Sequence, residues 1–217
     1  MQPQKAYQMI EDRGLVAGMR GDFSVDVALE TTATLMDAGI NVFELTMNSV
    51  EPLAAMQAVK RAYGDDACVG MGTVLDVDTA NRVLDAGADF VVSPAFQPDV
   101  VEAVQAADIL IAPGVTTPTE AVHAWEMGVE LLKVFPIGAL GLDYFKAMFG
   151  PLNHMKFMCN GGMHAENVRQ FLSAGAVACG MASWLTGSGT LDQDVIKNRA
   201  KQLRDAVNEA RGIPRHI

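Results

Sequence analysis

The sequence predicts an α/β protein, a (β/α)8 TIM barrel with an extra N-terminal helix. Short apolar segments alternate with longer amphipathic segments eight times, which is the strand and helix count of such a barrel. Several short segments, such as VVS and DILIA, are apolar on both faces, as strands of a buried parallel sheet are. Four segments share one order, a helix end, a glycine and a strand, at Gly39, Gly87, Gly128 and Gly175. Glycine is the residue expected where a helix ends in the left-handed conformation.

The individual elements follow from the same pattern. A helix at about residues 4–12 precedes the first strand. The strands are expected at residues 15–20, 41–46, 67–72, 89–93, 108–112, 130–135, 155–160 and 176–180, and the helices after them at about 25–37, 52–63, 77–86, 98–106, 119–127, 142–149, 165–173 and 193–209. No linker or charge run divides the chain. We therefore expect one domain over residues 1–217, with the N-terminal helix in 1–14, the barrel core in 15–185 and the C-terminal helix in 186–217.

An open doubly wound sheet is the rival arrangement, because it could use the same alternation of strands and helices. No glycine-rich dinucleotide fingerprint follows the first expected strand, which favours the barrel. In a barrel the functional side chains lie at the carboxyl ends of the strands, so the polar residues at those ends are the candidates for chemistry.

The composition restricts the class of protein. Of the 217 residues, 50% are hydrophobic and 19% are charged, which excludes a disordered chain. The net charge of −10 argues against a nucleic-acid partner, because that partner needs a basic surface. The chain has no apolar run of about 18 residues, no signal-peptide core in its first residues and no metal or redox spacing among its three cysteines. We expect a cytoplasmic protein that binds neither nucleic acid nor a membrane.

Lys133 is a charged residue within the apolar strand segment ELLKVFP. Strand alternation places Leu131, Lys133 and Phe135 on one face and Leu132 with Val134 on the other. If the first face lines the barrel interior, the lysine reaches a substrate at the mouth. Burial disfavours the charged form of an amine, and a neutral amine attacks a ketone to form a Schiff base. The alternative is a lysine that extends its charged end to water or pairs with a carboxylate for structure alone.

Glu44 is a second charged residue within an apolar strand segment, NVFELT. Val42, Glu44 and Thr46 share one face of that strand, so the carboxylate and the Thr46 hydroxyl would line the barrel mouth. A carboxylate at this place can act as a general base. The alternative is an ion pair with Lys133 or Arg20 that does no chemistry.

The segment NGGMHAENV, residues 160–168, places two glycines between a strand and a helix. Gly161 and Gly162 let the backbone approach a ligand closely, and free amides point outward where a helix begins. Gly180 and Ser183 in the segment GMASWL offer further amides. The loops after strands seven and eight of a barrel often bind phosphate, although an ordinary glycine turn would look the same.

The four histidines, His123, His154, His164 and His216, form no ligand pattern with one another or with cysteines and carboxylates. The sequence therefore predicts no metal site. We interpret His164 as a residue at the start of a helix. No serine has the context of a nucleophile elbow.

Six motifs between Leu15 and Leu185 resemble those of the bacterial aldolases that act on 2-keto-3-deoxy-6-phosphogluconate and 4-hydroxy-2-oxoglutarate. They are GINVFELT around Glu44, GMGTVL around Thr73, AGADFVVSPAF around Pro94, APGVTTPTE, LLKVFP and the pair GG and GMASWL. They occur in the family's order and at its spacing. The resemblance implies a (β/α)8 barrel, usually a homotrimer, that works as a class I aldolase without a metal or another cofactor.

The resemblance also implies roles for single residues. Lys133 matches the Schiff-base lysine, and Glu44 matches the general acid and base. Thr73 lies where the family has a threonine near the pyruvyl group, and Arg20 matches an arginine that many members carry after the first strand. The ligands would be a phosphorylated 2-keto-3-deoxy sugar acid and pyruvate. The expected substrate-binding residues are Arg20, Thr46, Asn48, Thr73, Pro94, Phe135, Asn160, Gly161, Gly162, Gly180 and Ser183.

Two departures from the family pattern concern the substrate. Gluconate-type members often carry arginine two residues after the threonine of the glutamate motif, and here that residue is Asn48. The segment TMNS is more similar to galactonate-type aldolases. Asn160 stands where many members have threonine before the two glycines. The resemblance implies cleavage of 2-dehydro-3-deoxy-6-phosphogluconate, with 2-dehydro-3-deoxy-6-phosphogalactonate and 4-hydroxy-2-oxoglutarate as alternative substrates.

Two functions of other classes stay open from the residues. A phosphate-binding barrel isomerase or decarboxylase would share the glycine loop and form no imine. A barrel that binds a sugar acid as a sensor or scaffold would release no pyruvate. A buried ammonium and carboxylate are costly to keep without a role, which argues against the sensor.

Overall fold

The computed structural model describes residues 1–213 of the chain. Its strands are β1 (Leu15–Met19), β2 (Val42–Thr46), β3 (Cys68–Gly72), β4 (Phe90–Val92), β5 (Leu110–Ala112), β6 (Gly114–Val115), β7 (Leu132–Val134), β8 (Phe157–Asn160) and β9 (Ala178–Met181). They form one parallel sheet in the order β5-β4-β3-β2-β1-β9-β8-β7-β6. The first and last strands of this order follow one another in the chain.

The sheet closes because β5 and β6 are two halves of one interrupted strand. β5 pairs with β4, and β6 pairs with β7. Pro113 separates the halves, since proline has no N–H for a strand ladder, and its carbonyl accepts a hydrogen bond of 2.9 Å from the Lys133 backbone. The predicted (β/α)8 TIM barrel is confirmed. The strand expected at 108–112 is corrected: it begins at Leu110 and continues beyond the proline as Gly114–Val115.

The helices surround the barrel. They are α1 (Pro3–Arg13), α2 (Val25–Asp37), α3 (Pro52–Tyr63), α4 (Val77–Asp85), α5 (Pro98–Ala106), α6 (Pro118–Glu126), α7 (Ile137–Leu140), α8 (Leu142–Phe149), α9 (Ala165–Ser173), α10 (Ser183–Thr186) and α11 (Gln193–Ala210), with one 3-10 turn at Gly64–Asp66. The extra N-terminal helix is confirmed as α1. The four-residue helices α7 and α10 were not expected from the sequence. Within the part of the chain described, no helix combines the length and the apolar composition that a membrane crossing needs.

The C-terminal helix begins later than residue 186. Gly187 and Gly189 have φ of 62° and 94°, which is the left-handed region and interrupts a helix. Asp192 then caps α11, because its side chain accepts a hydrogen bond of 2.8 Å from the Asp194 backbone. The helix runs over Gln193–Ala210, and residues 214–217, where the expected segment ends, lie outside the described residues.

Two apolar clusters hold the fold together. The larger lies between the strands and the surrounding helices. The smaller fills the barrel interior and includes Ala6, Tyr7 and Ile10 of α1, which pack with inward-facing residues such as Val16 and Phe90. Helix α1 therefore closes the end of the barrel at which the strands begin, and the opposite end stays accessible.

Candidate active site

A cavity of about 310 Å³ lies at the carboxyl ends of β1, β2, β7, β8 and β9. This is the end of the barrel at which functional residues are expected. Ten of the predicted site residues line it, namely Arg20, Glu44, Thr46, Lys133, Phe135, Asn160, Gly161, Gly162, Gly180 and Ser183. The structure thus brings together residues from both halves of the sequence.

Lys133 points into the cavity from β7. The preceding inward residue, Leu131, belongs to the interior cluster, whereas Leu132 and Val134 pack outward against the helices. This is the face assignment that alternation predicted. Lys133 is 3% exposed, and its Nζ lies 5.0 Å from the centroid of the Phe135 ring. The amine is thus shielded from water and has an aromatic face beside it.

Glu44 approaches Lys133 from β2. Its Oε1 lies 3.9 Å from Lys133 Nζ, and Glu44 is 5% exposed. This separation is an ion-pair distance and is longer than an N–H···O hydrogen bond. Two charged groups buried this well are stable only as partners, and here they face one another across a space open to a ligand.

The segment between β8 and α9 forms the second end of the cavity. Gly161 and Gly162 have φ of 86° and 75°, a conformation in which a Cβ is strained. A Cβ on Gly161 would also lie 3.0 Å from the Phe135 ring. The Gly161 carbonyl accepts a hydrogen bond of 2.8 Å from Gly138 N in α7. Backbone amides of such a loop, next to the start of a helix, favour an anionic group.

Asn160 lies between the charged pair and the glycine loop. Its side chain is buried, with the residue 5% exposed, and Oδ1 has no hydrogen-bond partner. Gly180, its partner in the β8–β9 register, leaves room for the amide, because a Cβ there would lie 2.1 Å from Asn160 Nδ2. Buried polar atoms are normally hydrogen-bonded, so this amide is available to a ligand in the cavity.

Arg20 and Thr46 occupy the rim near β1 and β2. Arg20 is exposed and follows the last residue of β1. The Thr46 hydroxyl lies 3.3 Å from the Met19 carbonyl and 2.9 Å from Ser49 Oγ. The first contact joins the ends of β1 and β2, and the second lies within the turn after β2, so the hydroxyl has structural partners as well as a place in the cavity wall.

Three predicted substrate-binding residues do not line the cavity. Asn48 is exposed in a turn, because the chain leaves the strand direction where Ser49 N donates to the Thr46 carbonyl. Thr73 follows β3 with φ of 61°, an uncommon conformation for a β-branched residue. Pro94 follows β4, and its carbonyl packs against Gly114. Where the chain turns, as at Ser49, or takes a positive φ, as at Thr73, the alternation of the preceding strand no longer decides which way a side chain points.

Six lining residues were not predicted as site residues: Gly18, Met163, His164, Met181, Ala182 and Trp184. The His164 and Trp184 rings lie 6.5 Å apart, and the Arg199 guanidinium lies 5.3 Å from the Trp184 ring. His164 was interpreted only as a residue at a helix start. Its place in the loop with Gly161 and Gly162 was the signal that could have assigned it to the cavity.

A hydrogen-bonded turn supports the end of β7. The Thr116 hydroxyl donates to the Phe135 carbonyl at 2.7 Å, and the Tyr144 hydroxyl donates to the Thr116 carbonyl at 2.5 Å. Glu120 accepts bonds of 2.8 Å from the Thr116 and Thr117 amides. Partial burial acts to raise the pKa of Glu120, but these bonds outweigh it and hold that pKa below its usual value.

The arrangement offers an amine, a carboxylate and a loop suited to an anion. Among residues 1–213, no group of three or more histidines, cysteines, aspartates or glutamates is placed to hold a metal ion. The three cysteines are free and buried, and burial raises the pKa of Cys159 well above its usual value. The cavity therefore places the Lys133 amine, the Glu44 carboxylate and the backbone amides of the glycine loop around one space.

A family model described as KDPG and KHG aldolase matches residues 15–201. The chain belongs to this aldolase family. It is 32% identical over 197 residues to the 2-dehydro-3-deoxy-6-phosphogalactonate aldolase of Escherichia coli (strain K12), covering 89% of this chain and 96% of that protein. It is 35% identical over 187 residues to the 2-dehydro-3-deoxy-phosphogluconate aldolase of Haemophilus influenzae, covering 85% and 87%. Family membership makes it a carbon–carbon lyase.

Solved structures agree with this assignment. A native KDPGal structure superposes with a TM-score of 0.87 at 30% identity, covering 92% of this chain and 96% of that one. The KDPG aldolase of Legionella pneumophila, with pyruvate captured as a covalent carbinolamine, superposes with a TM-score of 0.78 at 23% identity, covering 95% and 98%. At that lower identity the likeness concerns the fold alone.

Proposed function

We propose that this chain is a class I aldolase that cleaves 2-dehydro-3-deoxy-6-phosphogluconate to pyruvate and glyceraldehyde 3-phosphate. The observation that carries the proposal is the buried Lys133 amine, which faces Glu44 at 3.9 Å inside the cavity. Family membership supports the same reaction class. It also disfavours the isomerase or decarboxylase without imine chemistry and the non-catalytic sensor.

The first half of the reaction places the substrate ketone on Lys133. The neutral amine attacks C2 of the ketone to form a carbinolamine, and loss of water gives a cationic imine, which serves as an electron sink. Amides of Gly161, Gly162 and Ser183 hold the phosphate at the other end of the cavity. That remote binding orients the C3–C4 bond next to the imine.

Glu44 transfers the protons in the second half of the reaction. Its carboxylate takes the proton of the C4 hydroxyl, the C3–C4 bond breaks, and the bonding electrons pass into the imine to form an enamine. Glyceraldehyde 3-phosphate leaves. Glu44 returns a proton to the enamine carbon, and water hydrolyses the imine to release pyruvate and free Lys133. Dividing one difficult cleavage into these steps lowers each barrier.

A second substrate is favoured by Asn160. The buried amide with its unpartnered Oδ1 stands where many members of the family have threonine, and the galactonate aldolase of E. coli aligns over 96% of its own length. 2-Dehydro-3-deoxy-6-phosphogalactonate is therefore the second candidate, with the same chemistry. 4-Hydroxy-2-oxoglutarate is the third, since it needs the same imine and carries a carboxylate in place of the phosphate.

Pyruvate release from the three substrates tests the proposal. The purified protein is incubated with each one, and pyruvate is followed with lactate dehydrogenase and NADH. We expect release from at least one phosphorylated sugar acid and none by Lys133→Ala. Activity that persists in Lys133→Ala, or no release from any of the three, would contradict the proposed reaction.

The same proposal includes a cytoplasmic homotrimer. The family resemblance supports the trimer, and Val50 and Leu75, which follow the neighbouring strands β2 and β3, are 46% and 47% exposed. Exposed apolar side chains at one end of a barrel suit a subunit contact. Three buried free thiols suit a reducing compartment. Light scattering of the purified protein should give three times the chain mass; a monomer would contradict the trimer.

A further inference from the structure

Gly72, the last residue of β3, lies directly against the Glu44 carboxylate. β2 and β3 pair in parallel, with Thr46 opposite Gly72 and Glu44 opposite Gly70. A Cβ built on Gly72 would lie 1.9 Å from Glu44 Oε1, 2.7 Å from Cδ and 2.8 Å from Cγ. The three nearest atoms thus all belong to the Glu44 side chain, which occupies the volume that any other residue at position 72 would need.

The backbone gives no reason for glycine at this position. Gly72 is absent from the residues with positive φ, so an alanine could adopt its conformation without strain. Glycine in a strand interior is otherwise unfavourable and often marks a close approach by another group. The close approach here is made by a carboxylate.

We propose that Gly72 is a positioning residue for Glu44, in addition to the proposed function on which this inference rests. By leaving the space beside β3 empty, Gly72 lets the carboxylate lie 3.9 Å from Lys133 Nζ. A methyl group on residue 72 displaces Oε1 from that place. Because Glu44 lines the cavity, the displaced carboxylate has room to take another rotamer and leaves its position beside the Lys133 amine.

Gly70, on the same face of β3, has a different task. A Cβ there would lie 2.6 Å from three atoms of the Phe90 ring. A buried ring cannot yield as the end of a glutamate side chain does, so Gly70 serves packing. Glycine at position 70 is therefore required for packing, whereas glycine at position 72 is required for the position of the Glu44 carboxylate.

Displacement of the Glu44 carboxylate affects the proton-transfer steps and not the formation of the imine. Lys133 still captures pyruvate as an imine, since the amine itself is not moved. The imine becomes an enamine only when Glu44 takes a proton from the methyl carbon, the C–H electrons passing into the imine. In D2O a deuteron returns to that carbon, so exchange at the pyruvate methyl reports on Glu44, while borohydride reduction of the imine reports on Lys133.

The test compares wild type, Gly72→Ala, Glu44→Gln and the double variant in both measurements. We expect Gly72→Ala to keep the borohydride-trapped fraction near that of wild type and to slow methyl exchange by about 10²-fold, as misplaced catalytic groups do. Adding Gly72→Ala to Glu44→Gln should change exchange by less than about threefold, because the pair acts as a unit. Wild-type exchange in Gly72→Ala, or equal effects in the two backgrounds, would overturn the positioning role.

Two controls keep the outcomes separate. If wild type itself traps no pyruvate on Lys133, the proposed function fails and not the role of Gly72. If Gly72→Ala does not fold, Glu44→Ala/Gly72→Ala removes Oε1, Cδ and Cγ, so it must fold if Glu44 is the obstacle. Failure of both variants to fold, measured by circular dichroism, would place the obstacle elsewhere and contradict the proposal.

Discussion

The two ends of the barrel use the same inward-facing positions for different purposes. At five strands, an inward residue at or just before the strand start packs in the interior apolar cluster, and the inward residue two positions later lines the cavity. These pairs are Val16 and Gly18, Val42 and Glu44, Leu131 and Lys133, Met158 and Asn160, and Ala178 and Gly180. A step of about 7 Å along a strand thus separates packing from chemistry.

Two of the remaining four strands, β4 and β5, differ from these five. On β4 and β5, both inward residues are apolar, Phe90 with Val92 and Leu110 with Ala112. The cavity is therefore confined to one side of the barrel mouth, next to the strands that carry Lys133 and Glu44. Stability is expected to depend on the end closed by α1, and turnover on the open end.

The largest expected effect is at the open end. Replacing Glu44 by glutamine should lower turnover by roughly 10²- to 10⁴-fold, because it removes the group that transfers protons. The trapped imine and the thermal unfolding transition should stay close to those of wild type. Steady-state assays on the preferred substrate measure the effect, and near-normal turnover would remove Glu44 from the reaction.

Ile10→Ala tests the closed end. Ile10 is fully buried in the interior cluster, and loss of such a side chain costs about 2–5 kcal/mol of unfolding free energy. Turnover per folded molecule should not change. Chemical denaturation measures the effect, with Gln4→Ala on the exposed side of α1 as the matched control. Equal stability of the two variants would contradict the closing role of α1.

Gly161→Ala tests whether the glycine loop after β8 holds the substrate phosphate. The substitution strains a left-handed residue and brings a methyl group against the Phe135 ring, so we expect KM for a phosphorylated substrate to rise about tenfold, as loss of roughly 1.4 kcal/mol of binding would produce. Activity on 4-hydroxy-2-oxoglutarate should change less.

Gly141→Ala is the matched control for this strain. Gly141 has φ of 87°, but a Cβ there meets nothing within 4 Å and the residue does not line the cavity. It should lower stability through backbone strain alone, without the Phe135 contact, and leave KM unchanged. An equal rise of KM for both substrates in Gly161→Ala would argue against a phosphate-binding role.

The smallest expected effect comes from the turn behind β7. Glu120→Gln should lower the unfolding free energy by about 1 kcal/mol or less at neutral pH, as loss of a helix cap does. The folded-state pKa of Glu120 is lowered from 4.5, so the carboxylate stabilises the fold fully above that value and the contribution is lost as the pH falls through the lower folded pKa. Unfolding of both proteins between neutral pH and pH 3 should show their difference shrinking only below about 4.5. A constant difference would contradict this role.

Much of the fold was predictable from the sequence, because its signals are local. Helices α2, α3, α5, α8 and α9 have the predicted bounds, since apolar periodicity and proline or cap residues mark their ends. Helices α7 and α10 were missed because four residues carry no period. The interruption at Pro113 was missed because it depends on which neighbour each half of the strand pairs with.

Part of the candidate site was likewise predictable from the sequence, and part of it was not. Lys133 and Glu44 were predictable because a charge in an apolar strand is unusual, and alternation gave their common face. That Asn48 lies away from the cavity was not predictable, because the turn closed by the Ser49 amide on the Thr46 carbonyl ends the direction of β2 just before it. Gly72 was not identified, because its significance lies in the Glu44 side chain of a neighbouring strand and is visible only in three dimensions.

The most direct test of the central claim is the capture of pyruvate on one amine. The protein is incubated with pyruvate, reduced with borohydride, digested and mapped by mass spectrometry. We predict a single reduced pyruvyl adduct, on Lys133, the buried lysine that faces Glu44. An unmodified Lys133, or an adduct on an exposed lysine only, would contradict the account.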